Sequence, residues 1–174
     1  MKTITALAAG TAVLVTLSSP AMAHIVLQVK DAQVGAAYRA VLVVGHGCGE
    51  EATTGVRVQI PEGFYNVKPM PKAGWAIDTV TGPYATPFMN HGTEITEGVT
   101  EISWTGGNLP NEYFDEFTFR GTFGGDLAEG STFHFPVIQT CGELEDAWID
   151  QSGDHDVEFP APSVTLSPAV EHAH

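Results

Sequence analysis

Apolar residues recur at every second position through most of the chain beyond residue 36. Tyr38, Ala40, Leu42 and Val44 interleave with Arg39, Val41 and Val43 in one β-branched run. Val56, Val58 and Ile60 face opposite to Arg57 and Gln59, and Ile102 and Trp104 flank Ser103. Phe117 and Phe119 alternate with Thr118 and Arg120. Phe133, Phe135 and Val137 alternate with His134, Pro136 and Ile138. A period of two places one parity on a buried face, as in half-buried strands, and almost no stretch carries the three-to-four spacing of an amphipathic helix. Pro136 within such a run predicts an edge or a bulge, because proline has no N–H to give a ladder. Pro61-Glu62-Gly63, Gly106-Gly107-Asn108 and Gly124-Gly125-Asp126 read as turns, and residues 163–166 as a last strand. The expected fold is all-β: a single-domain antiparallel sandwich of immunoglobulin or cupredoxin type, without internal repeats.

The first 23 residues break the pattern. Lys2 precedes an apolar and small-residue stretch from Ile4 to Leu17, which Ser18, Ser19 and Pro20 interrupt before Ala21-Met22-Ala23. This is the layout of a secretory signal peptide with an A-x-A cleavage site. The expected organisation is a signal peptide at 1–23, one domain at 24–167 and a flexible tail at 168–174. Cutting after Ala23 makes His24 the first mature residue and takes the 174-residue chain to 151. The formal charge then moves from −14 to −15, since Lys2 is lost. Such acidity argues against nucleic acid and anionic membrane surfaces as partners. No second apolar stretch approaches the ~18 residues of a membrane span, so a periplasmic or secreted protein is expected. In that compartment Cys48 and Cys141 are expected to form a disulfide, with a thiolate copper site as the competing reading.

A mature N-terminal His offers its α-amine and Nδ1 in one chelate ring, and both lose their protons near neutral pH when a metal competes. Nitrogen ligands in tetragonal geometry suit Cu(II). Two ligands hold an ion weakly, so a third is needed. Asp115 and Glu116, in an aromatic run from Tyr113 to Phe119, are candidate carboxylates, and equally candidates to pair with Arg120 or to cap a turn. Among the imidazoles, His46 reads as a turn residue beside Cys48, His91 as a loop residue and His134 as an exposed strand residue. His155, His172 and His174 fall in polar segments able to bind metal only loosely. Trp75, Trp104 and Trp148 read as core, and Met70 and Met89 as packing residues. No nucleophile–base arrangement, zinc-protease motif or phosphate-binding loop is present, so catalysis is not expected.

Several segments together resemble the YcnI-like copper-binding domain family over roughly 24–167. They are Ala23-His24-Ile25, Val44-Gly45-His46-Gly47-Cys48, Val56 to Gly63, Val67 to Trp75, Tyr113 to Phe117 and Phe135 to Gln139. The resemblance implies an exported β-sandwich holding Cu(II) in a monohistidine brace. Carried over, His24 supplies amine and imidazole, Glu116 the carboxylate with Asp115 as the alternative, and Trp148 the nearby indole. It implies a role in envelope copper homeostasis or trafficking, with another copper-handling envelope protein as partner. The alternatives are a copper-dependent oxidative enzyme of the polysaccharide monooxygenase kind, with a second His in the brace, and a metal-free partner-binding sandwich.

Overall fold

The computed structural model describes residues 24–154 and 156–169. The expected signal peptide, His155, His172 and His174 lie outside the described residues. Among the described residues twelve strands and no helix follow in order: β1 (Val26–Leu27), β2 (Asp31–Gln33), β3 (Ala37–Val44), β4 (Thr53–Gln59), β5 (Phe64–Pro69) and β6 (Ala76–Asn90). Then come β7 (Thr93–Leu109), β8 (Asp115–Phe123), β9 (Thr132–His134), β10 (Val137–Cys141), β11 (Leu144–Trp148) and β12 (Ser163–Ser167). They form a four-stranded sheet β1-β3-β8-β5, a five-stranded sheet β11-β10-β4-β7-β6 and a small sheet β2-β12-β9. The pairings are antiparallel except β12 with β2, which is parallel. No described helix is long and apolar enough to cross a membrane.

The core lies between the two larger sheets and is built from the alternating positions. Ala40, Leu42, Val44, Phe117 and Phe119 on one sheet, and Val56, Val58, Ile102 and Trp104 on the other, are buried in one cluster. Trp104 and Phe117 meet across it edge to face, with centroids 5.6 Å apart. Each such large side chain contributes on the order of 2 kcal/mol by leaving water. Phe64, Phe123, Phe133 and Phe135 close the cluster toward the small sheet.

Three expectations change. The Phe133–Val137 alternation is two strands, not one: Pro136 separates β9 in the small sheet from β10 in the five-stranded sheet. Its carbonyl still accepts Gln59 N (2.9 Å), but it has no N–H to continue a ladder, so the chain changes sheets there. Gly106-Gly107-Asn108 is an irregularity inside β7 rather than a turn: five residues, Thr105 to Leu109, stand opposite three of β4, Thr53 to Gly55. A Cβ at Gly107 would lie 2.0 Å from the Trp75 ring, so the missing side chain is what lets Trp75 pack there. Trp75 itself is only half-buried. Met70 and Met89 are 47% and 58% exposed, not packed in the core. Met70 follows the end of an edge strand, and Met89 sits near the tip of the long β6–β7 hairpin, where neither sheet covers it.

Candidate metal site

β1 and β11 each form one edge of the two larger sheets. His24 lies two residues before the start of β1, and Trp148 ends β11. The two rings meet edge to face with centroids 5.9 Å apart and planes 61° apart. His46, in the loop after β3, approaches the same indole at 6.1 Å and 67°. One fully buried tryptophan therefore carries an imidazole from each of two chain segments.

Gln139 holds this arrangement. It sits on β10 with no exposed surface. Its Oε1 accepts Trp148 Nε1–H (3.0 Å), and its Nε2 donates to His46 O (2.6 Å) and Thr53 Oγ1 (2.8 Å). The disulfide Cys48–Cys141 fixes the same loop to the end of β10, with Cα atoms 5.7 Å apart. Asn111 Oδ1 accepts Gly47 N–H at 2.8 Å. His46 Nδ1 donates to the carbonyl of Gly47, a contact within the same loop. Asp146 pairs with Gln139 in the ladder, and its parity puts it on the Trp148 side of β11. Burial holds its carboxyl above the usual range. The nearby His46 pulls it back down and Glu158 pushes it further up.

Glu116 and Asp115 lie on β8, two strands in from β1. Register places Glu116 opposite Val43, itself opposite Val26. Glu116 Oε1 accepts Gln28 Nε2–H at 3.3 Å, beyond Val26 from His24 along the chain. Asp115 pairs with Lys72 at 2.6 Å, not with Arg120, and its Oδ1 accepts Glu116 N–H. His91 forms the β6–β7 turn with positive φ, and His134 is half-buried on β9. Among the described residues, no three His, Cys, Asp or Glu side chains form a ready-made metal shell.

Gln139 and Asp146 were not among the sequence candidates, although each left a signal. Gln139 is a polar residue at an inward parity between Val137 and Cys141. Asp146 shares parity with Trp148.

A family model described as a domain of unknown function, DUF1775, matches residues 24–166. A crystal structure of an uncharacterised protein from Nocardia farcinica with an immunoglobulin-like fold aligns at 23% identity and a TM-score of 0.61, covering 83% of this chain and 98% of that one. A ScaB type I cohesin from Pseudobacteroides cellulosolvens aligns more distantly, at 12% identity and a TM-score of 0.43 over 87% and 96% of the two chains. No curated protein matches. The sandwich is thus immunoglobulin-like, and the chain belongs to the DUF1775 family, which includes the YcnI-like proteins.

Proposed function

We propose that this protein is exported and holds Cu(II) at His24, as a carrier or buffer of the ion in the cell envelope. The supporting observation is the seating of His24 against Trp148 at the sandwich edge. There the imidazole lies against the indole while the residue stays half-exposed. Once residues 1–23 are removed, the α-amine and Nδ1 of His24 form a chelate whose second nitrogen costs little additional ordering. The family resemblance supplies Glu116 as the oxygen ligand, which would exchange its bond from Gln28 for the ion. A charged oxygen favours Cu(II) over Cu(I), and the half-exposed position leaves room for exchange with a partner.

The shared indole favours a second reading of the third ligand. His46, on a loop fixed by Gln139 and the disulfide, brings a second imidazole to the same tryptophan. A two-imidazole site is the arrangement that oxidative copper enzymes use.

Both readings share one test. N-terminal sequencing of exported protein is expected to begin at His24, and a form retaining Ala23 should bind Cu(II) at least about tenfold more weakly. Equal affinity in the two forms removes the α-amine from the site. Electron paramagnetic resonance then separates the ligands. Glu116→Gln changes the spectrum and eases reduction if the carboxylate binds. His46→Ala removes one nitrogen coupling if the second imidazole does.

A further inference from the structure

The outer face of the four-stranded sheet carries an arrangement that neither the core nor the copper site uses. Register sets Arg39 opposite Arg120, and Arg120 opposite Lys68. Three cations from three adjacent strands therefore stand in one cross-strand row. These are three of only seven Lys and Arg residues, in a chain with 21 Asp and Glu. Like charges directly opposite one another destabilise a sheet. Among the described residues the ion pairs are Arg57–Glu101 and Lys72–Asp115, so none of the three cations is neutralised by a carboxylate. Glu116, the acid on the same face of β8, lies four residues from Arg120 and is bonded to Gln28.

A groove of about 250 Å³ runs along this row, lined by Arg39, Lys68, Arg120 and Thr118, with Met70 and Pro71 as an apolar wall. Thr118 is 4% exposed, yet its Oγ1 has no hydrogen-bond partner, the only buried side-chain polar atom so left among the described residues. A buried hydroxyl without a partner costs on the order of 1–3 kcal/mol. Cations that repel one another and a residue whose buried hydroxyl lacks a bond thus line the same cavity, and an oxyanion there would relieve the repulsion and offer the hydroxyl a partner.

We infer that this groove binds a small organic anion, an oxyanion joined to an apolar ring. The guanidinium groups of Arg39 and Arg120 and the Lys68 ammonium take the oxyanion, to which Thr118 Oγ1–H donates once its side chain turns toward the groove. The ring lies along Met70 and Pro71. Guanidinium forks match phosphate and carboxylate oxygens in pairs, and the volume suits a single-ring molecule. The protein's large negative charge opposes approach to an anionic membrane, which favours a soluble ligand.

Nuclear magnetic resonance titration of the copper-free protein with phenyl phosphate tests this. Saturable shifts are expected on β5, β8 and residues 69–71, weakening as salt rises. Inorganic phosphate should bind about tenfold more weakly, since it lacks the ring. Arg120→Gln should lower affinity by at least about tenfold while raising Tm, because it removes a like-charge pair. Thr118→Val, of similar shape, should lower affinity several-fold without lowering Tm. That combination of weaker binding and undiminished stability separates a binding role from a structural one. No saturable binding up to about 10 mM, well below typical small-ligand affinity, overturns the inference. So do equal affinities for phenyl and inorganic phosphate, or unchanged affinity in both variants. Binding to phosphatidylglycerol vesicles in the absence of phenyl phosphate binding would reassign the row to a membrane.

Discussion

Gln139 has no exposed surface, and both ends of its amide are engaged. Its three bonds connect the indole of β11 to the His46 loop, so the position of one imidazole depends on an amide that ligates nothing. His134 shows how burial tunes a titrating group. Half-burial lowers its pKa from 6.5, and Asp150 partly offsets this. The folded state then prefers the neutral ring more than the unfolded state does. The resulting stabilisation is complete above pH 6.5 and is lost as pH falls through the lower folded value. A proton resonance titration should give His134 a midpoint below 6.5, and His134→Gln should flatten the fall in stability just below that pH. A midpoint at or above 6.5 would contradict this sign.

At the scale of elements, the β6–β7 hairpin is the longest feature, and it was hidden in the sequence. Its outward residues are mixed rather than alternating, and Pro83 and Pro87 lie within it. Its turn is formed by His91 and Gly92, both with positive φ. Glu62 attaches the hairpin to the body: its carboxylate accepts Tyr65 O–H (2.9 Å) and the backbone N–H groups of Ala85 (3.2 Å) and Thr86 (3.1 Å). Nearer the core, Trp75 lies over Gly107 and meets Phe117 edge-on at 4.9 Å. Gly107→Ala should drive Trp75 off Phe117, costing about 1–3 kcal/mol, with Trp emission shifted to the red. An unshifted spectrum with unchanged stability would show that the strand absorbs the methyl group. The disulfide joins residues 93 apart, one beside the His46 loop and the other ending β10. Replacing both cysteines with serine should cost about 4 kcal/mol in the loop-entropy picture and should loosen His46 more than His24. Thermal unfolding and the imidazole proton linewidths of the two histidines read the two effects separately.

At the scale of the whole molecule, two tyrosines set the alkaline limit. Burial raises Tyr38 to about 12, with Asp31 adding to the rise, and burial with the Glu62 bond raises Tyr65 to about 12. The folded protein thus keeps both protons where the unfolded chain gives them up. The stability they contribute is full below pH 10 and is lost between 10 and about 12. Ultraviolet phenolate titration should show these two ionising at about 12, above the ordinary value of 10.0, with unfolding following them. Early ionisation of Tyr38 would mean that its strand opens before the core does.

The sequence by itself determined the sandwich, because a period of two leaves β3, β4, β8 and the central part of β7 only one way to bury Leu42, Val58, Phe117 and Trp104. It also made the cysteine pair and the candidacy of His24 legible, the first through an expected oxidising compartment and the second through an expected cleavage after Ala23. The tertiary structure alone decided which residues meet. His24, His46 and Trp148 are brought together because β1 and β11 are edge strands of different sheets, a fact of topology that no local pattern carries. The split at Pro136 and the strand that continues through Gly106 and Gly107 depend on partner strands far away in the chain. The Arg39–Arg120–Lys68 row likewise exists only through cross-strand register, which long-range pairing sets and sequence spacing does not.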